Sequence, residues 1–268
     1  MTLLERLRGA VAAHGALCAG IDPHPALLDA WGLGRDADGA ERLGRAVVEA
    51  AAGRVGVVKP QVALFEAFGA AGLGALERVL ADARAAGLVV IADAKRGDIG
   101  STNAGYAEAW LTPGSPLEAD ALTVSPYLGV GALDGLLEAA ERAGKGAFVL
   151  AATSNPEAAA LQLARHADGR TVAQGVAEAV AARNAETRAG HGIVVGATID
   201  RAAFGIASDP ATPILAPGFG AQGARFADLG ALFPAEALVL ASASRSLLAH
   251  GAAGVAGAID AAQRELAA

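Results

Sequence analysis

The stretch of the 268-residue chain best equipped for chemistry is Val90-Ile91-Ala92-Asp93-Ala94-Lys95-Arg96-Gly97-Asp98, where an apolar run turns abruptly into alternating charge. Leu88-Val89-Val90-Ile91 contains no polar residue and follows Gly87, the pattern of a strand buried on both faces. Side chains alternate along a strand, so Asp93 and Lys95 are expected on one face at its C-terminal end. Asp98 is expected in the following turn, close enough to join them. Two carboxylates beside an ammonium favour its charged form, which makes Lys95 a candidate proton donor. A bare D-x-K-x-x-D also suits a structural ion pair at the rim of a sheet, so the rest of the chain has to decide.

The rest of the chain repeats one plan. Ala16 to Ile21 reads as a strand closed by Asp22-Pro23-His24-Pro25, and Val55 to Val58 as a second, ending on Lys59-Pro60-Gln61. After the central strand come Ala121 to Pro126, then Gly146 to Ala152 running into Thr153-Ser154-Asn155-Pro156. Gly192 to Ala197, Pro213 to Pro217 and Ala237 to Ala241 follow. Helical periodicity fills most of the gaps: Thr2 and Glu5 form a capping box opening a helix to about His14, and further helices are predicted over 41–52, 73–85, 101–111 and 133–142. Eight short buried strands alternating with helices imply right-handed parallel crossovers. The simplest closure is a (β/α)8 TIM barrel, one α/β domain over 1–268 with an N-terminal helix. The connection at about 154–190 is longer than usual and suits a lid or an inert decoration equally. An open doubly wound sheet is the alternative, but no strand opens onto a G-x-G-x-x-G turn.

In such a barrel the strand C-termini share one mouth, so Asp22, Lys59, Asp93, Lys95, Ser154 and Arg245 are expected to converge there. Thr123 and Ser125 end the fourth strand and are candidate liners. Pro217-Gly218-Phe219-Gly220-Ala221-Gln222-Gly223 follows the seventh strand and Ser242-Ala243-Ser244-Arg245 the eighth. A glycine-rich turn beside an arginine at these two strand ends suits a phosphate.

Composition narrows the partners. The net charge of -7, with no Lys/Arg cluster, gives no footprint for nucleic acid. Cys18 is alone, which excludes an intrachain disulfide or a multi-cysteine zinc site. The opening residues lack the regions of a signal peptide and no uninterrupted apolar run could span a bilayer, so a soluble cytoplasmic protein is expected. His14, His24, His166, His191 and His250 are dispersed and read as surface or cap residues, with His24 nearest the mouth.

Val90 to Thr102 as a whole resembles the signature of the orotidine 5'-phosphate decarboxylase family: two apolar residues, D-x-K-x-x-D-I, then Gly or Pro, any residue, and Thr. The resemblance extends over essentially the whole chain and looks like the longer bacterial branch. It implies a homodimeric enzyme that uses neither cofactor nor metal and converts orotidine 5'-phosphate to uridine 5'-monophosphate and CO2. It further implies that Lys59, Asp93 and Lys95 are three members of a Lys-Asp-Lys-Asp array whose fourth, Asp98, comes from the neighbouring subunit. Ile99 and Thr102 would reach across the same interface. Asp22 matches a ribose-hydroxyl ligand, Ser154 a pyrimidine contact, and Gln222 and Arg245 the phosphate grips, with Pro217 and Gly223 in the same loop. One departure stands out: Ser244 occupies the place where related sequences often carry Gly.

Two rivals follow. A related barrel uses D-x-K-x-x-D with Mg²⁺ in aldol or keto-sugar phosphate chemistry, but Lys59 at the second strand's end would repel a cation. A non-catalytic nucleotide sensor would keep Gln222 and Arg245 without needing Lys95 between two acids.

Overall fold

The computed structural model describes residues 1–268, and its eight parallel strands close into a barrel in chain order. They are β1 (Leu17–Ile21), β2 (Val57–Pro60), β3 (Val89–Arg96), β4 (Ala121–Val124), β5 (Gly146–Ala152), β6 (Gly192–Val195), β7 (Ile214–Pro217) and β8 (Val239–Ala243). β8 returns to β1 through Leu17↔Ala241 and Ala19↔Ala243. The expected (β/α)8 architecture is therefore the observed one.

The strands read as unbroken apolar runs because both faces are covered. Cys18, Val57, Ile91, Phe148 and Leu240 point into the barrel, while Ala19, Val58, Val90, Val149 and Ala241 pack outward beneath the helices. The helix Leu3–His14, opened by the Thr2–Glu5 capping box, stoppers the N-terminal end of the barrel with Leu3 and Leu7. Burial of each of these leucines contributes on the order of 2 kcal/mol. Leu3 sits so close over the start of β5 that a Cβ on Gly146 would meet its Cδ2 at 2.4 Å. Arg6 on the same helix pairs with buried Asp120 at 2.6 Å.

The helices predicted from periodicity are present as Ala37–Ala51, Gly69–Ala85, Gly100–Leu111 and Asp134–Arg142. None of the helices is long and apolar enough to cross a membrane. The long connection contains a 3-10 turn at Pro156–Ala158, a short helix at Ala159–Gln162, an Arg165↔Thr171 bridge and the helix Val172–Thr187. One histidine departs from expectation: His191 is fully buried, with Nε2 3.0 Å from Glu141 and Nδ1 accepting the Ala147 N–H.

β3 continues to Arg96, well past the end of its apolar run; Asp93 and Lys95 line the mouth, whereas Arg96 turns aside to pair with Glu66. The β3–β4 ladder shifts there. Ala92 pairs with Leu122 and Arg96 with Val124, so Asp93, Ala94 and Lys95 together stand opposite Thr123 alone.

Candidate active site

A cavity of about 220 Å³ opens at the C-terminal end of the barrel, and its wall includes Asp22, Lys59, Asp93, Lys95, Pro217, Gln222 and Arg245. All seven were expected there. Gln61, Thr123, Thr153, Phe219, Ser242 and Ser244 also line it. Their signal in the sequence was position alone, since each stands at or near the C-terminal end of a strand.

The centre of the site is a carboxylate held by two ammonium groups. Lys59 Nζ donates to Asp93 Oδ2 at 2.9 Å and Lys95 Nζ to Asp93 Oδ1 at 2.6 Å. Lys59 and Asp93 are buried, whereas the Lys95 side chain is 47% exposed and reaches into the opening. Burial alone would push the Asp93 carboxyl up, but the charges of Lys59 and Lys95 outweigh it and hold the group well below the usual carboxylate range. Burial likewise opposes the charge on Lys59, and Asp93 together with Asp22 more than restores it. Gln61 Oε1 lies 3.4 Å from Lys95 Nζ. Lys95 itself has φ 49, the left-handed region that residues with a Cβ seldom occupy.

Asp98 does not join this group within its own chain. Its Oδ1 accepts the Ile99 N–H at 2.8 Å and its backbone N–H donates to Asn103, so it belongs to the start of the helix Gly100–Leu111. The expectation of two acids flanking Lys95 is corrected accordingly: within one chain there is one, Asp93. Ile99 is 63% exposed and Thr102 is exposed on the same shoulder. Ser154 is exposed just beyond β5 and Gly223 lies in the β7 loop; neither forms part of the cavity wall, where Thr153 and Gln222 stand instead. His24 is half-buried outside the wall.

At the opposite side of the mouth, the loop after β7 needs its glycines. Gly218, Gly220 and Gly223 have φ of 123, 72 and 106, and a Cβ on Gly220 would lie 2.3 Å from Ser246 Oγ. Phe219 anchors the loop by stacking on Phe226 with ring centroids 5.7 Å apart. Gln222 and Arg245 flank it at the rim, a cation and an amide suited to an anion. Asp22 Oδ1 and Ser244 Oγ are buried in this wall without hydrogen-bond partners, as is Ser246 Oγ behind it. Buried polar atoms are normally paired, so Asp22 and Ser244 fit a ligand that brings hydroxyls and acceptors of its own.

Other chemistries find little support in the donor set. No three His, Cys, Asp or Glu side chains converge as metal ligands. Cys18 lies below the site, its thiol pushed up to about 12 chiefly by burial, which makes it no nucleophile.

A closed parallel barrel whose mouth joins a Lys-Asp-Lys array to a glycine-rich anion loop defines an enzyme-like site for a phosphorylated ligand. Comparison with known proteins narrows this further: the model of the Orotidine 5'-phosphate decarboxylase / HUMPS family matches residues 15–262, and the chain belongs to that family. It is 54% identical over 249 residues to the orotidine 5'-phosphate decarboxylase of Salinispora tropica, covering 92% of this chain and 89% of that one. The Corynebacterium glutamicum protein of the same name is 49% identical over 257 residues, covering 94% and 92%. A crystal structure from Streptomyces avermitilis assigned as an orotidine 5'-phosphate decarboxylase superposes with TM-score 0.94 at 48% identity, covering 100% of this chain and 96% of that one. The Leishmania donovani OMP decarboxylase superposes with TM-score 0.80 at 30% identity, covering 100% and 98%.

Proposed function

We propose that this chain converts orotidine 5'-phosphate to uridine 5'-monophosphate and CO2, a step of pyrimidine biosynthesis carried out in the cytoplasm, without a cofactor. The observation that carries the reading is the buried Asp93 carboxylate bridging the Lys59 and Lys95 ammonium groups at the barrel mouth.

Decarboxylation leaves an electron pair on a pyrimidine ring carbon as CO2 departs. Lys95 is the proposed partner of that carbon: its ammonium stabilises the growing negative charge, then passes one proton to form the new C–H bond and is re-protonated from solvent. Asp93 aims Lys95 and lies toward the departing carboxylate, while Lys59 keeps Asp93 ionised. Gln222, Arg245 and the Pro217–Gly223 loop bind the phosphate, and Asp22 takes a ribose hydroxyl. Ser154 contacts the pyrimidine once the site is filled. Binding energy from the phosphate, remote from the reacting bond, is then available to exclude water from the charge array.

A second copy of the chain completes the site in this reading. Ile99 (63%), Tyr127 (76%) and Leu128 (54%) are large apolar side chains left exposed in the segments that follow β3 and β4, and a homodimer would cover them. Asp98, Ile99 and Thr102 are the residues proposed to reach the neighbouring site. The Mg²⁺ rival is disfavoured by Asp93 itself, whose two oxygens both already carry ammonium partners.

Purified protein mixed with orotidine 5'-phosphate tests the reading by ultraviolet absorbance. The expected result is consumption with uridine 5'-monophosphate as product, at a rate unchanged by EDTA; no consumption, or turnover abolished by EDTA, contradicts it.

A further inference from the structure

We propose that Thr123 is the positioning residue that aims Lys95, an inference that rests on the decarboxylase reading of the same site. Opposite Thr123 the β3–β4 ladder is interrupted: three β3 residues, Asp93 to Lys95, pass a single β4 residue before pairing resumes with Arg96 and Val124. A bulge of this kind takes the Lys95 N–H out of the backbone ladder. The Thr123 hydroxyl replaces the missing carbonyl, its Oγ1 accepting the Lys95 N–H at 2.9 Å. The same hydroxyl donates its own proton to Asp93 Oδ1 at 2.9 Å, the oxygen that also receives Lys95 Nζ.

One hydroxyl thus fixes both ends of the Lys95–Asp93 pair. It holds the backbone from which Lys95 departs, at φ 49, and it holds the carboxylate on which the ammonium rests. A left-handed backbone at a residue with a long side chain persists only where its surroundings impose it, and such outliers concentrate at functional sites. Thr123 is 1% exposed, so no solvent molecule can take over either bond without displacing the side chain. Its two bonds use the donor and one acceptor position of the hydroxyl, in a direction set by chemistry: the backbone N–H can only donate, and the ionised carboxylate can only accept. The β-branched methyl keeps the hydroxyl in one rotamer, which suits a residue whose task is geometry.

The role is separable from substrate binding, because phosphate and ribose contacts lie on β1, β7 and β8, across the mouth from β4. Two variants test it, Thr123→Val, which keeps the shape and removes the hydroxyl, and Thr123→Ser, which keeps the hydroxyl. The readouts are kcat and KM for orotidine 5'-phosphate and the affinity for uridine 5'-monophosphate by calorimetry. T123V is expected to lose at least tenfold in kcat, about 1.4 kcal/mol of transition-state stabilisation, with KM and product affinity within threefold of the parent. T123S is expected to recover kcat to within threefold of the parent. T123V within twofold of the parent in kcat overturns the inference, as does a T123S as impaired as T123V, or a T123V whose product affinity falls along with kcat. A parent that leaves orotidine 5'-phosphate unconsumed overturns the decarboxylase reading itself, and this inference with it.

Discussion

Lys59 Nζ lies 2.9 Å from Asp93 Oδ2, on neighbouring strands, with 8% and 11% of the two side chains exposed. The pair is not symmetrical. Asp93 keeps Lys95 and Thr123 if Lys59 is removed, whereas Lys59 without Asp93 is left with no hydrogen-bond partner for a buried charge. Removing one partner of a buried pair is costly when the other stays charged. Asp93→Ala is therefore expected to destabilise the protein by about 3 kcal/mol or more, and Lys59→Met by clearly less. Urea unfolding of both variants checks this, and equal losses would contradict it.

The phosphate end makes a different prediction. Arg245 lines the rim beside the loop after β7 and makes no hydrogen bond or ion pair within the protein that its removal would break. Arg245→Ala should raise KM for orotidine 5'-phosphate by about 30-fold or more, the worth of roughly 2 kcal/mol from a charge-assisted contact, while leaving the melting temperature unchanged. Steady-state kinetics with an unaltered KM would remove Arg245 from the phosphate site.

His191 links stability to pH. Burial holds its pKa below the ordinary imidazole value despite Glu141 at 3.0 Å, and the Ala147 N–H occupies Nδ1, so the folded state keeps the ring neutral. As pH falls through about 6.5, the ordinary value, the unfolded chain takes up a proton that the folded chain refuses. Stability present at pH 7.5 is lost toward pH 5. His191→Gln, which offers an acceptor and a donor but does not titrate, should flatten this slope in thermal melts; an unchanged slope would show that His191 does not set it.

The apolar shoulder gives a prediction about assembly. Ile99 is exposed within the signature segment, next to Asp98. Ile99→Asp should convert a dimer into a monomer by sedimentation and remove most activity, since the neighbouring site would lose Asp98 and Thr102. A monomeric parent, or a fully active monomeric variant, would contradict the proposed sharing.

The sequence carried the barrel clearly because two-sided burial makes each strand an apolar run ending in a polar residue, as at Ile21-Asp22 and Val58-Lys59. It carried the convergence of Asp22, Lys59, Asp93, Lys95, Gln222 and Arg245 because parallel strands share one polarity. What it hid depends on partners distant in the chain. The Thr123–Asp93 contact arises from a register shift that no local pattern announces. His191 is buried because Glu141 and the Ala147 N–H meet it from other elements. Asp98 lies three residues from Lys95 in sequence, yet the start of the helix Gly100–Leu111 turns it away from Lys95 in its own chain. The final helix, Gly251–Leu266, escaped because Ala and Gly dominate it and its apolar stripe is only Val255, Ile259 and Ala262.

Single-turnover measurement on Lys95→Ala tests the central claim most directly. The account predicts that this variant releases no detectable CO2 from orotidine 5'-phosphate yet binds uridine 5'-monophosphate with an affinity within about tenfold of the parent, roughly 1.4 kcal/mol. Turnover within a few-fold of the parent would show that the ammonium at position 95 does not carry the reaction.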